Sequence, residues 1–130
     1  MVEIVGYTSG IFDLFHKGHE NYLQLCRQYC DYLIVGVDSD SRTKALKGEG
    51  RPIENASIRM NHVKEHCDLV FEKLYPSRIY FEMFKPAILF RSFDGGKPII
   101  HSDLKTLFFP YTVGISTTII ISTGKITNSK

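Results

Sequence analysis

From Val2 to Val37 the chain runs through an apolar stretch, a loop punctuated by glycine and serine, a helical stretch and a second apolar stretch, and this order constrains the fold more than any other feature. Val2 to Tyr7 reads as a strand. From about Lys17 the residues Tyr22, Cys26, Tyr29 and Cys30 recur at helical spacing. Asp31 to Val37 is an apolar run of the kind buried on both faces of a parallel sheet. A right-handed crossover brings the ends of both strands to one side. Ligands in such sheets bind beyond the carboxyl ends of the strands, so the loops at 8–19 and 38–52 are expected to face one pocket.

The first of these loops carries chemistry. His16, Gly18 and His19 form His-x-Gly-His where the helix begins. The free N–H groups and positive dipole end of a helix start favour a phosphate, and Gly18 has no side chain to hold it away. Two imidazoles three residues apart can converge on one point and donate to oxygens whose charge grows during reaction. The pattern suggests stabilisation of a pentavalent phosphorus centre, because phosphoryl-group transfer needs little beyond positioning and charge.

Composition sets outer bounds. The 130 residues, 43% hydrophobic and 23% charged, suit one ordinary globular domain with a real core. No basic segment precedes a long apolar one and the apolar runs are short, so neither a signal peptide nor a membrane span is expected, and a cytoplasmic location follows by default. A net charge of +2 is too small to argue for nucleic acid. Positive charge gathers in Arg42 to Arg59, which points to a small polyanion. Cys26, Cys30 and Cys67 lack a Cys-x-x-Cys spacing; Cys26 and Cys30 read as small core residues on the first helix. His62 and His66 have no third ligand nearby except buried-looking Cys67 and read as ordinary helix residues.

Further along, Asp38 to Ser41 offers helix-start chemistry, and 42–53 reads as a flap of cations among glycines. Ala56, Met60, Val63 and Cys67 mark an amphipathic helix over 55–67. Strands are expected at 68–71, 86–90 and 107–109, with a helix at 76–84. The β-branched Ile119 to Ile121 allow only a short helix. Lys125 to Lys130 is expected to be a disordered tail, which leaves 1–124 as one domain.

Gly10 to His19, Gly-x-Phe-Asp-Leu-Phe-His-x-Gly-His, resembles the signature of the cytidylyltransferase-like branch of the nucleotidyltransferase superfamily. Lys47-Gly48-Glu49-Gly50-Arg51-Pro52 resembles a phosphate-contacting segment of the sugar-phosphate nucleotidyltransferases in that branch, and looks like the adenylyltransferases of heptose phosphate. Gly114-Ile115-Ser116-Thr117-Thr118 resembles the second signature of the glycerol-3-phosphate and choline-phosphate cytidylyltransferases. The resemblance covers nearly all of the chain and implies a Rossmann-like α/β fold of about five parallel strands with helices on both faces.

What the resemblance implies for the site is specific. His16, His19 and Lys44 would be catalytic. Ser9, Gly10, Ile11, Phe12, Gly18, His19, Arg59 and Asp94 would surround the nucleotide, with Gly114, Ile115, Ser116, Thr117 and Thr118 on its outer phosphates. Lys44, Lys47 and Arg51 would contact the acceptor phosphate, and Asp13 would orient the loop. Magnesium would come with the nucleoside triphosphate, with no metal site of the protein's own. The expected reaction moves a nucleotidyl group, CMP from CTP, onto a small polyol or sugar phosphate such as glycerol 3-phosphate and releases pyrophosphate. The alternatives are an ATP-dependent sugar-phosphate adenylyltransferase and a nucleotide-binding protein with weak or lost catalysis. A homodimer is expected from the family.

Two departures stand out. The family places an arginine three residues before the glycine of the second signature and a glutamate one before it; this chain has Tyr111 and Val113. Lys44, Lys47 or Arg59 would then compensate, unless catalysis is weak or selectivity has changed. Before Asp94 the chain has Ser92 and Phe93 where the family has close-packed glycine.

Overall fold

The computed structural model describes residues 3–92 and 104–110 and the backbone of 120–122. The chain runs β1 (Val5–Gly10), α1 (Lys17–Gln28), β2 (Tyr32–Asp38), α2 (Asp40–Lys47), α3 (Ala56–Val63) with a following 3-10 turn (Lys64–His66), β3 (Leu69–Lys73), α4 (Ser77–Phe84), β4 (Ile88–Ser92), β5 (Lys105–Phe109) and β6 (Ile120–Ser122). Among the described residues the sheet order is β3-β2-β1-β4-β5-β6. Five strands are parallel, as expected for the Rossmann-like fold, and β6 lies antiparallel on the edge beside β5.

The order matters for function. From β1 the chain winds outward through β2 to β3, then returns to the other side of β1 for β4 and β5. That reversal leaves a crevice at the carboxyl ends of β1 and β4, where Gly10 and Ser92 lie.

Alternation along the strands builds two apolar layers. Leu33, Val35 and Val37 of β2 pack with Tyr22, Leu23 and Cys26 of α1 and Val63 of α3 on one face. Ile34 packs with Tyr7, Leu89 and Tyr80 of α4 on the other. Each such side chain contributes roughly 1.5–3 kcal/mol when fully buried. Gly6 is the close point of the first layer: a Cβ there would stand 2.6 Å from Phe90 Cε2 and 2.9 Å from Cys30 Sγ. Thr8 is fully buried yet satisfied, since its Oγ1 donates to the Phe90 carbonyl at 2.9 Å and pairs with the Tyr22 hydroxyl at 2.7 Å.

Several expected boundaries move. β1 continues through Thr8, Ser9 and Gly10, read above as loop, because their backbone pairs in register with Val35, Gly36 and Val37. The flap expected over 42–53 is helical as far as Lys47, since Ser39 Oγ accepts from Arg42 N at 3.2 Å and caps α2. The helix expected over 55–67 ends at Val63 and tightens to 3-10. The short helix expected after Thr118 is replaced at 120–122 by β6, where β-branched residues suit an edge pairing better than a helix. Cys26 is in the core as expected, and Cys30 and Cys67 are half-buried. No helix among the described residues is long and apolar enough to cross a membrane.

Candidate active site

The loop from Ile11 to His16 leaves the end of β1 with two non-glycine residues at positive φ, Phe12 (54°) and Leu14 (51°). Such backbone costs of order 1–3 kcal/mol and persists only where surroundings over-determine it. They do here. Phe12 is 2% exposed and packs edge-on to His19 with centroids 5.4 Å apart, and Leu14 N donates to Glu54 Oε1 at 3.1 Å.

His16 is the N-cap of α1, and its Nδ1 accepts from Gly18 N at 3.0 Å. His19 returns the favour: its Nδ1 accepts from His16 N at 3.2 Å. This reciprocal cap assigns both tautomers, because a ring nitrogen that accepts a backbone N–H carries no proton itself. In each neutral ring the proton is therefore on Nε2, a donor. The rings stack with centroids 3.9 Å apart. Burial lowers the His19 pKa to about 4, with the neighbouring His16 adding to the shift and Asp13 opposing it. His19 is thus a neutral hydrogen-bond donor at pH 7.

Asp13 ties this loop to the segment before α3. Its carboxylate accepts from Ile53 N at 2.8 Å, Glu54 N at 3.0 Å and Arg51 Nε at 3.2 Å. Burial alone would raise its pKa, but those backbone donors and the Arg51 guanidinium outweigh it and hold the group below the ordinary carboxylate value. Every oxygen is engaged in holding residues 51–54, so Asp13 orients the loop.

The structure gathers Gly10, Ile11, Phe12, Asp13, His16, His19, Asp38, Lys47 and Arg51 around one cleft of about 430 Å³. Gly18 lies in the first turn of α1 beside it. Lys44 is not in this group. It faces a separate depression with Glu49 and Ile53, where its Nζ lies 3.5 Å from Glu49 Oε1. Both lysines are fixed on α2 and not on a free flap; Lys44 is held by Glu49, and Lys47 lines the histidine cleft. Arg59 departs most from expectation. It is fully buried, and its guanidinium donates to the carbonyls of Glu54 (2.8 Å), Ile11 (2.9 Å) and Asp38 (2.8 Å) and to Asp40 Oδ1 (2.7 Å). It stitches the loop after β1, the end of β2 and the start of α2 together from beneath the cleft. Asp94, Gly114, Ile115, Ser116, Thr117 and Thr118 lie outside the described residues, as do Phe93, Tyr111 and Val113.

A second cleft of about 520 Å³ adjoins the first and shares Gly10 and Asp38 with it. Ser9, Arg42, Lys73, Arg78 and Arg91 line it. None of these four cations is a candidate from the motifs. Lys73 and Arg91 stand at or next to the last position of β3 and β4, and that strand-end placement is the signal that could have found them. Lys73 is only 6% exposed. Its burial lowers its pKa, with Asp38 opposing and Arg42 and Arg91 adding to the shift.

The chain has relatives among known proteins. "Bifunctional protein HldE" of Helicobacter pylori (strain P12) is 36% identical over 95% of this chain and 28% of its own length. The protein of the same name from Bradyrhizobium sp. (strain ORS 278) is 39% identical over 69% of this chain and 19% of its own. This chain therefore spans between about a fifth and just over a quarter of these curated relatives. Among solved structures, the lipopolysaccharide core biosynthesis protein from Thermoplasma volcanium GSS1 superposes with a TM-score of 0.65 at 25% identity, over 75% of this chain and 80% of that one. The description "Cytidylyltransferase-like" fits residues 7–94, a span that holds the histidine loop, α2, the basic segment and the parallel strands up to β4. The chain belongs to the cytidylyltransferase-like family.

Proposed function

We propose that this chain is a nucleotidyltransferase that moves an adenylyl group from ATP onto the phosphate of a small sugar phosphate and releases pyrophosphate. The observation that carries the reading is the reciprocal cap, which presents two imidazole Nε2–H donors at the start of α1. An acceptor phosphate oxygen attacks the α-phosphorus and forms the new P–O bond. The bond to the bridging oxygen breaks, and its electron pair leaves with pyrophosphate. His16 and His19 donate to oxygens that gain charge, Lys47 and Arg51 neutralise the triphosphate, and the α1 dipole adds to both. Magnesium enters on the triphosphate as part of the substrate.

The choice of ATP over the expected CTP rests on two supports. Lys47 to Pro52 looks like the sugar-phosphate adenylyltransferases, and Arg51 of that segment lines the histidine cleft. The relatives above bear the HldE name or belong to lipopolysaccharide core biosynthesis. Cytidylyl transfer to a polyol phosphate is the second reading, favoured by the likeness of Gly114 to Thr118 to the glycerol-3-phosphate enzymes.

A pyrophosphate-release assay with MgATP or MgCTP against a panel of sugar and polyol phosphates tests this. Turnover with ATP and a sugar phosphate is expected. Turnover with CTP and a polyol phosphate transfers the assignment to the second reading, and binding of nucleotide without turnover on any acceptor overturns both. His16→Ala should lower kcat by about 10²–10³, the effect of removing one preorganised donor, while costing only about 1 kcal/mol of stability as a lost cap.

A further inference from the structure

The loop that presents the two imidazoles contains two left-handed residues, and they are held in different ways. Phe12 is buried, so its packing fixes it. Leu14 is 50% exposed, and a side chain in solvent cannot hold a backbone conformation that is costly for any residue with a Cβ. What the structure supplies there is a hydrogen bond, from Leu14 N to Glu54 Oε1 at 3.1 Å. His62 Nδ1 stands 3.9 Å from the same oxygen, beyond hydrogen-bond length.

Glu54 has the fixed base that a strut needs. Its N–H donates to Asp13 Oδ1 at 3.0 Å, and its carbonyl accepts from Nε of the buried Arg59 at 2.8 Å. Its side chain then reaches across to the loop. Leu14 lies two residues before His16, so its φ and ψ aim the peptide groups that follow. One of these carries the His16 N–H that His19 Nδ1 accepts at 3.2 Å. The same stretch carries Phe15, whose ring centroid is 5.3 Å from that of His19 and 5.3 Å from that of His66. A Leu14 relaxed to ordinary backbone would turn both groups away, and the His19 proton would lose the bond that keeps it on Nε2.

We infer that Glu54 is a positioning residue for the transfer: through Leu14 N it holds the loop in the conformation in which His19 offers its Nε2–H. This rests on the transfer reading above. Glu54 itself lines the neighbouring depression with Asn55 and Ile58, not the histidine cleft, and acts only through the loop. The contact needs an acceptor oxygen more than a charge, because the Leu14 N–H is a neutral donor. Substitution of the side chain also leaves the backbone bonds of residue 54 to Asp13 and Arg59 in place, so it isolates the contact with Leu14.

The test joins steady-state pyrophosphate release, with the acceptor that turns over in the panel above, to long-range proton–nitrogen NMR of the histidine rings, which reads the tautomer without any substrate. Glu54→Ala removes the acceptor oxygen and Glu54→Gln keeps one. Glu54→Ala should lower kcat by about tenfold or more, with the KM for MgATP changed less than about threefold, and should replace the Nε2–H signature of His19 by averaged tautomers. Glu54→Gln should keep that signature and most of kcat. Should Glu54→Ala lower the melting temperature, adding Leu14→Gly separates backbone strain from unfolding, since glycine adopts a φ of 51° without penalty and should restore the His19 signature and about threefold or more in kcat. A native His19 signature in Glu54→Ala, equal losses in Glu54→Gln and Glu54→Ala, or a loss that Leu14→Gly does not relieve overturns the inference. If no acceptor turns over with any form, the transfer reading fails, and the ring signals still decide the role of Glu54.

Discussion

Replacing Arg59 by alanine separates a structural arginine from a phosphate-binding one. The guanidinium is fully buried and holds the carbonyls of Ile11, Asp38 and Glu54 at 2.8–2.9 Å. Its ion pair with Asp40 adds little, because that carboxylate is 52% exposed and already solvated. The cost therefore comes from the three carbonyls. Each orphaned acceptor, one buried and two part-buried, costs about 1 kcal/mol at the low end, when water can enter the space left behind. Adding the lost packing of the side-chain stem gives roughly 3–5 kcal/mol, a large share of the 5–15 kcal/mol available to an ordinary domain. At roughly 4 °C per kcal/mol for a chain of this size, the melting temperature should fall by about 12–20 °C. Urea unfolding followed by circular dichroism measures the free energy directly. Arg59→Lys should recover only part of it, since a single ammonium cannot span three divergent carbonyls as a planar fork does. A variant within about 1 kcal/mol of the parent that loses nucleotide affinity would refute this reasoning and return Arg59 to the phosphates.

Three further outcomes are expected. His19 has its pKa lowered from 6.5 to about 4 by burial, so the unfolded chain binds the proton more readily. Stability is then full above pH 6.5 and falls as pH drops toward 4, by about 2–3 kcal/mol; urea melts at pH 7.5, 6 and 4.5 should show this slope, and His19→Gln should flatten it. Asp13→Asn should lose the Arg51 pair and weaken the hold on residues 51–54, which costs about 1–3 kcal/mol and should appear as faster proteolysis between Lys47 and Asn55, with an unchanged cleavage rate counting against the role given to Asp13. Gly6→Ala must push Phe90 or Cys30 aside and should destabilise by roughly 1–3 kcal/mol, whereas a neutral result in a urea melt would mean that the layer is looser than its distances indicate.

The site was legible in proportion to how local its interactions are. The partnership of His16, Gly18 and His19 is set within one helical turn, and the structure brings them together as the spacing implies. Lys47 and Arg51 also reach the histidine cleft as expected. Lys44 and Arg59 do not, and for different reasons. Lys44 and Lys47 are neighbours on one face of α2, yet Lys44 is drawn to Glu49 while Lys47 lines the histidine cleft, a division that depends on where the following segment folds and not on helical spacing. Arg59 sits one helical turn from Val63 on the buried side of α3, where only the folded positions of Ile11, Asp38 and Asp40 reveal that two carbonyls and a carboxylate await it.

By itself the sequence determined the elements that rest on short-range physics: an apolar strand, a helix start with paired imidazoles, a second strand buried on both faces, and from these a parallel α/β sheet with its ligand side known. Tertiary structure decided what depends on residues far apart in the chain. It placed β4 beside β1 rather than beside β3, which opens the crevice, and it brought Lys73 and Arg91 from separate strand ends to one cleft with Arg42 and Arg78. Charges along a chain have no mutual geometry until the sheet order fixes which strand ends are neighbours, and electrostatic attraction at a few ångströms, unlike periodicity, is a property of that order alone.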